Sequence, residues 1–367
     1  MPKSKSNQNL IKTCLNLINS VVGVASISNL DLKSMFAEVF KHHSDEEIEE
    51  CLTIGVSNNV SKIEKVETEY PQPWLFSRAF LGSGILYLLF LFGWLQFQNI
   101  YLIPGLIIVG SFTIPLATLV FFFELNIRKN ISLYQVAKLF FAGGTLAILS
   151  SLFLFSIVDG FGLDVLGASI AGVIEEPGKL MALILVANNK KYPYILNGLL
   201  FGAAIGAGFA AFESAGYAFS IFLGSFYESL QEHYFDLAWI SNAMLENITI
   251  RGLLAPFSHI VWTSISSAAI WKIKRNNKFK ASMLNQSTFM KVFMASVILH
   301  MLWNSGFRLL GIDWLMQIAI GLVGWSIVFG IVNEGLVQIK RIKYPRAAYL
   351  KNKQRRDELT KKQSQDT

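Results

Sequence analysis

Seven residues scattered over 130 positions carry side chains that do not belong in the apolar segments around them. Glu175, Glu176 and Lys179 lie in AGVIEEPGKLMALI, Glu213 in GFAAFESAGYAF, His259 in APFSHIVWTS, and His300 with Asn304 in VILHMLWNS. A carboxylate beside imidazoles can activate water. With Glu213, His259 and His300 holding a zinc ion, the pKa of water falls to about 7 and it attacks a carbonyl. A second carboxylate then serves as general base. Without a metal, a glutamate deprotonates water directly while His and Asn stabilise the oxyanion. The same residue types also suit the proton relay of a transporter or channel.

Local spacing divides the roles. Glu175 and Glu176 are neighbours and point about 100° apart on a helix, so they cannot share one role. Lys179 lies four residues after Glu175 and three after Glu176, both pairing distances. It is expected to hold one carboxylate while the other faces a cavity and activates water. Pro177 predicts a kink that frees the carbonyl of Val173, and irregular backbone inside a membrane lines cavities. Gly202, Gly206 and Gly208 form a face that lets a neighbouring helix approach Glu213's helix closely. Asn304 shares a helix face with His300. Arg251 reads equally as an interfacial anchor or a functional residue; His42, His43 and His233 receive no role.

The elements that must position these groups are membrane spans. Of 367 residues, 53% are hydrophobic and 16% charged, well below the usual charged share of about 25%. That excludes an ordinary cytosolic enzyme and a disordered chain. The net charge of +7 does not indicate a nucleic-acid partner, because the basic residues sit between apolar runs and in the tail. Cys14 and Cys51 cannot make a disulfide framework or a four-ligand zinc site, and no apolar run follows the N-terminus as a signal peptide would.

Apolar runs long enough to span a bilayer fall at 79–97, 99–123, 134–158, 163–188, 193–223, 248–272, 289–310 and 313–338. The loops after the second, fourth, sixth and eighth are basic (Arg128, Lys129; Lys190, Lys191; Lys272 to Lys280; Lys340 onward), and those between are not. The positive-inside rule then gives eight spans with both termini cytoplasmic. The expected fold is an all-α polytopic bundle. Residues 1–72 form a cytoplasmic helical domain and linker, 73–338 the membrane domain, and 339–367 a basic tail. Within 1–72, Leu10–Ile18 and Leu30–Phe40 have helical spacing, and Ser44 with Glu47 forms a capping box opening a third helix. Counted from the basic span ends at 1.5 Å per residue, Glu176, His259 and His300 agree in depth within roughly 3 Å, with Glu213 about 10 Å deeper.

EExxK (Glu175, Glu176, Lys179), FxxxE (Phe209 to Glu213) and the isolated His259 and His300 resemble the PrsW family of intramembrane proteases. That family is similar in layout to the CAAX-protease and bacteriocin-processing membrane proteins, whose pattern is EExxxR, FxxxH and HxxxN; His300 with Asn304 matches the last of these. The resemblance covers roughly residues 135–335. It implies a multi-pass peptidase of a bacterial inner membrane, metal-dependent, cutting a membrane-anchored protein or peptide substrate. In the best-known case that cut is the first step of regulated intramembrane proteolysis of an anti-sigma factor. The residues before 72 lie outside the resemblance.

Overall fold

The computed structural model describes residues 3–27, 30–44, 47, 50, 52, 54–55, 63–158, 167–188, 190–233, 235–309 and 311–345. The described residues form helices α1 (Lys3–Val22), α2 (Leu32–Met35), α3 (Leu75–Phe97), α4 (Leu102–Leu125), α5 (Leu133–Val158), α6 (Ile170–Ala187), α7 (Ile195–Gln231), α8 (Leu237–Leu254), α9 (His259–Lys274), α10 (Ser287–Trp303) and α11 (Asp313–Lys343). No strand occurs among them. The chain is a polytopic helical membrane bundle.

Each of the eight expected spans corresponds to a helix, but six are long and apolar enough to cross a membrane by length and composition. Glu175, Glu176 and Lys179 put three charges into the 18-residue α6, and α10 has 17 residues. The sixth expected span differs most. It starts at Leu237, not 248, and runs to Lys274 with a 3-10 turn at Ala255–Phe257 separating α8 from α9. Asp236 caps α8 by accepting from the N–H groups of Ala238 and Trp239. Ile240, Met244 and Ile248, one turn apart, then pack on Trp94, Leu106 and Phe222 from α3, α4 and α7. A helical period hidden among polar residues, with Glu246 and Asn247 between the apolar positions, has too low a mean hydropathy to read as a span.

The central pair is α7 and α9. α7 has 37 residues, about 55 Å at the helical rise and longer than the roughly 30 Å hydrocarbon core. Its buried first half carries the glycine face. A Cβ on Gly206 would lie 2.6 Å from the His259 carbonyl oxygen, and one on Gly202 2.6 Å from the Ser267 Cβ. Glycine is required there for the two backbones to meet. Gly208 does the same toward α5, whose Leu139–Gly143 stretch is a single π turn.

Pro177 lies inside α6, which is assigned as one helix from Ile170 to Ala187. The irregular backbone instead falls at Pro256, in the turn directly before His259. The turn accommodates the missing N–H of a proline near its start.

The described part of the N-terminal section is bonded to the bundle. Asn19 is buried, donates to the Ser326 carbonyl of α11 and accepts from the Ser326 hydroxyl. Arg78 of α3 donates to the carbonyls of Val39 and Lys41, and the His43 ring stacks on Trp74. Helical structure in 30–40 is confined to α2, with turns following. The reciprocal Ser44–Glu47 capping bonds are formed. Most of the helix they open, the start of the 57–72 linker and the chain beyond Pro345 lie outside the described residues.

Candidate active site

Four helices bring the charged residues of the apolar segments to one place. Lys179 is its hub: Nζ donates to Glu175 Oε2 (3.2 Å), Glu176 Oε1 (2.8 Å) and His259 Nδ1 (2.8 Å), and lies 4.2 Å from the centre of the Phe209 ring. α6 supplies both carboxylates and the ammonium on adjacent turns, so one of the two acid charges is offset within the helix itself. All of Glu175, Glu176, Lys179, His259 and His300 are buried.

The hydrogen bonds set the imidazole tautomers. His300 Nδ1 faces Glu176 Oε1 at 3.0 Å, and His259 Nε2 faces Glu213 Oε2 at 3.0 Å. A carboxylate only accepts, so each of these nitrogens carries the proton. An ammonium only donates, so His259 Nδ1, facing Lys179, presents a lone pair. The acceptors turned to this side of the cluster are therefore His259 Nδ1 and Glu175 Oε2, both already accepting from Lys179, and His300 Nε2. Glu175 Oε2 is 3.8 Å from each of the two nitrogens. The ring of His300 stacks on Trp262, centres 4.4 Å apart, and the two imidazoles meet edge to face at 4.9 Å.

These residues open onto a cavity of about 640 Å³, walled by Glu175, Glu213, Tyr217, Arg251, His259, His300 and Asn304 among others. Glu176 is not part of that wall and sits behind it, with Oε2 buried and unpartnered. The two adjacent glutamates are thus split as their angular offset requires: Glu175 faces the cavity and Glu176 faces the protein, with Lys179 touching both. Asn304 caps the end of α10 through its backbone N–H to the His300 carbonyl and reaches the cavity wall.

Glu213 is in direct contact with His259, not about 10 Å deeper. α7 begins at Ile195, two residues later than the expected span, which removes about 3 Å of the difference; the remainder is taken up by how α7 and α9 are set against each other, which counting along each helix does not give. Glu213 also accepts from Arg251 Nη2 at 2.5 Å, while Arg251 Nε donates to Ser214 Oγ at 3.0 Å. Pairing of Arg251 with Glu213 is not visible in the sequence, because the two lie 38 residues apart; the cue is an arginine facing an otherwise uncompensated buried acid.

Glu175, His259 and His300 each offer a ligand atom, all within 4.8 Å of one another. Tetrahedral zinc with ligands at its usual distances separates them by roughly 3.3–3.5 Å. The donor set is two imidazoles and a carboxylate, and each imidazole's other nitrogen is held by a carboxylate, the usual outer support of a metal-binding histidine. The Lys179 ammonium already shows that two of these atoms, Glu175 Oε2 and His259 Nδ1, attract a cation, and a metal would take over its place beside them. The residues present fit a metal. Among them Glu175 stands nearer to both imidazole lone pairs, while Glu213 supports His259 from its protonated side.

A model of the PrsW family intramembrane metalloproteases matches residues 132–332, more than half of the chain. The chain belongs to the PrsW family. The match begins at the N-cap of α5 and ends within α11, so it contains every residue of this cluster. It makes the chain a membrane peptidase. Comparison with curated proteins and with solved structures gave no match. α1 to α4 precede the matched region of this PrsW family member.

Proposed function

We propose that this PrsW family protein hydrolyses a peptide bond of a membrane-anchored protein in the cavity beside Glu175, as a first cut that releases part of its substrate. The observation that carries the reading is the division of the carboxylates: Glu175 lines the cavity without hydrogen-bonding an imidazole, while Glu176 and Glu213 each hold one.

Glu175 takes the proton from the attacking water. Its Oε2 accepts from the Lys179 ammonium at 3.2 Å, which holds the carboxylate in place. Glu176 and Glu213 hold His300 and His259 in the tautomers that turn one lone pair from each ring toward Glu175. Asn304, on the wall next to His300, supplies an amide donor for the developing oxyanion. The leaving amine recovers the proton from Glu175. A divalent metal such as zinc, held by Glu175, His259 and His300, would supply Lewis-acid polarisation of the carbonyl and a lower pKa for water. Glu176, Lys179 and His300 are almost wholly buried, so their charges and dipoles act at a lower dielectric than in water.

The test is reconstitution in liposomes with a single-span protein substrate. Cleavage by the wild type and none by Glu175→Gln, with unchanged thermal unfolding, is expected. Full cleavage by a folded Glu175→Ala/Glu176→Ala double variant overturns the assignment. Solute flux that persists without any peptide cleavage would replace it with the transport reading. Metal content before and after chelation, with activity followed on zinc return, separates metal from glutamate chemistry.

A further inference from the structure

A second cavity, of about 1010 Å³, lies about 20 Å along α9 from His259, where the basic ends of α9 and α11 meet the start of α7. Its charged wall is Lys272, Arg275, Glu334 and Arg341. Lys272 is satisfied by Glu334 at 2.9 Å. The guanidiniums of Arg275 and Arg341 are exposed and have no hydrogen-bond or ion-pair partner among the described residues. Three cations against one carboxylate leave two positive charges that cannot be lost by deprotonation.

Two further features suit this wall to an oxyanion. Gln338 uses its Oε1 to accept from the Ile195 N–H, which leaves its NH₂ group to donate. Arg275 holds φ 46° and ψ −120° at the end of α9, a backbone conformation costly for any residue with a Cβ. Glycine would close this helix at lower cost, so the side chain is retained for something other than the turn. Opposite the charges the cavity is apolar, with Ile195, Val337 and Ile342, the last two substantially exposed.

We propose that this cavity binds a phosphate group, and that the apolar wall selects one carried by an anionic phospholipid. Guanidinium forks bind phosphate oxygens in pairs, and basic pockets between transmembrane helices are suited to anionic headgroups. Val337 and Ile342 then lie along the acyl chains. Ala25 also borders the cavity, and the Gly23 carbonyl lies 3.5 Å from Lys272 Nζ. An occupied cavity therefore ties the segment after α1 to the bundle.

The full chain in detergent micelles tests this through thermal unfolding with added phosphatidylglycerol, zwitterionic phosphatidylcholine or inorganic phosphate. Phosphatidylglycerol is expected to raise the Tm saturably and phosphatidylcholine to have little effect. Arg275→Gln/Arg341→Gln should weaken the phosphatidylglycerol response at least tenfold. Arg275→Gly should raise the lipid-free Tm while weakening that response, an opposition that a purely structural arginine cannot produce. If the double variant does not fold, the Arg275→Gly and Arg341→Gln single variants are judged by the same criterion. Inorganic phosphate matching phosphatidylglycerol, through the same arginines, keeps the phosphate site but overturns the lipid source. A wild-type lipid response without the two guanidiniums, or an equal response to phosphatidylcholine, overturns the site.

Discussion

The Asn126–Asn130–Asn197 group and the Glu175–Lys179 group are both buried polar clusters of this bundle, and they are built on opposite terms. At the junction of α4, α5 and α7, Asn126, Asn130 and Asn197 bond to one another: Asn197 Nδ2 donates to Asn130 Oδ1 at 2.7 Å and Asn126 Oδ1 at 3.2 Å, and Asn130 Nδ2 returns to Asn197 Oδ1 at 3.3 Å. Asn197 Oδ1 also accepts from the Tyr194 N–H. An amide carries both donors and acceptors, so three of them close on themselves without charge. None of their side-chain atoms is left buried without a partner. The Glu175–Lys179–His259–His300 cluster contains groups that only accept and groups that only donate, keeps Glu176 Oε2 unpartnered, and opens on a cavity. Polar burial that serves folding saturates itself. Burial that serves chemistry retains unused capacity and a place for a reactant.

Substitutions can break or sharpen this contrast. The largest effect is expected from Glu175→Gln, which keeps shape and removes the cavity-facing charge. Cleavage in proteoliposomes should fall by about 10³-fold or more, with little change in unfolding temperature. Retained activity would erase the distinction between the clusters. Lys179→Met should follow: removing the one cation that three acceptors share costs about 3–5 kcal/mol by analogy with broken buried ion pairs. Chemical unfolding would measure this loss, and added zinc should restore part of it if the donor atoms accept a metal.

Asn197→Ala should cost about 1–3 kcal/mol, because it strands the amides of Asn126 and Asn130, while kcat per folded molecule stays unchanged. A drop in kcat without loss of stability would show that the neutral cluster is not merely structural. The smallest effect is expected from Arg251→Lys. It keeps the charge beside Glu213 but loses the fork that also holds Ser214, so kcat should fall about tenfold or less with KM nearly constant. Equal loss from Arg251→Lys and Arg251→Met would assign the role to the fork and not to charge.

The residues of the candidate site were visible in the sequence for a physical reason: a charge or imidazole within an apolar run carries an insertion cost, about 2.5–3.5 kcal/mol for a charged group at a helix centre. Residues that must be repaid in this way stand out one by one. The spans at 79–97 and 99–123 were equally plain because neither contains a charged residue. α8 was not, since its apolar positions recur every fourth residue among polar ones. The Asn triad was also hidden, because a lone asparagine at a helix end is ordinary until a distant one faces it.

Residue type and order along the chain determined that this is a helical membrane protein with acids and imidazoles forced inward, and that Glu175 and Glu176 had to face different ways. Tertiary structure alone decided which way each faced, that Arg251 meets Glu213, and that the backbone breaks at Pro256 to start α9 at His259. Insertion cost is a property of single residues and is written locally. Partner choice is a property of pairs, decided when glycine-lined helices close to contact distance and leave each buried charge only its neighbours to bond.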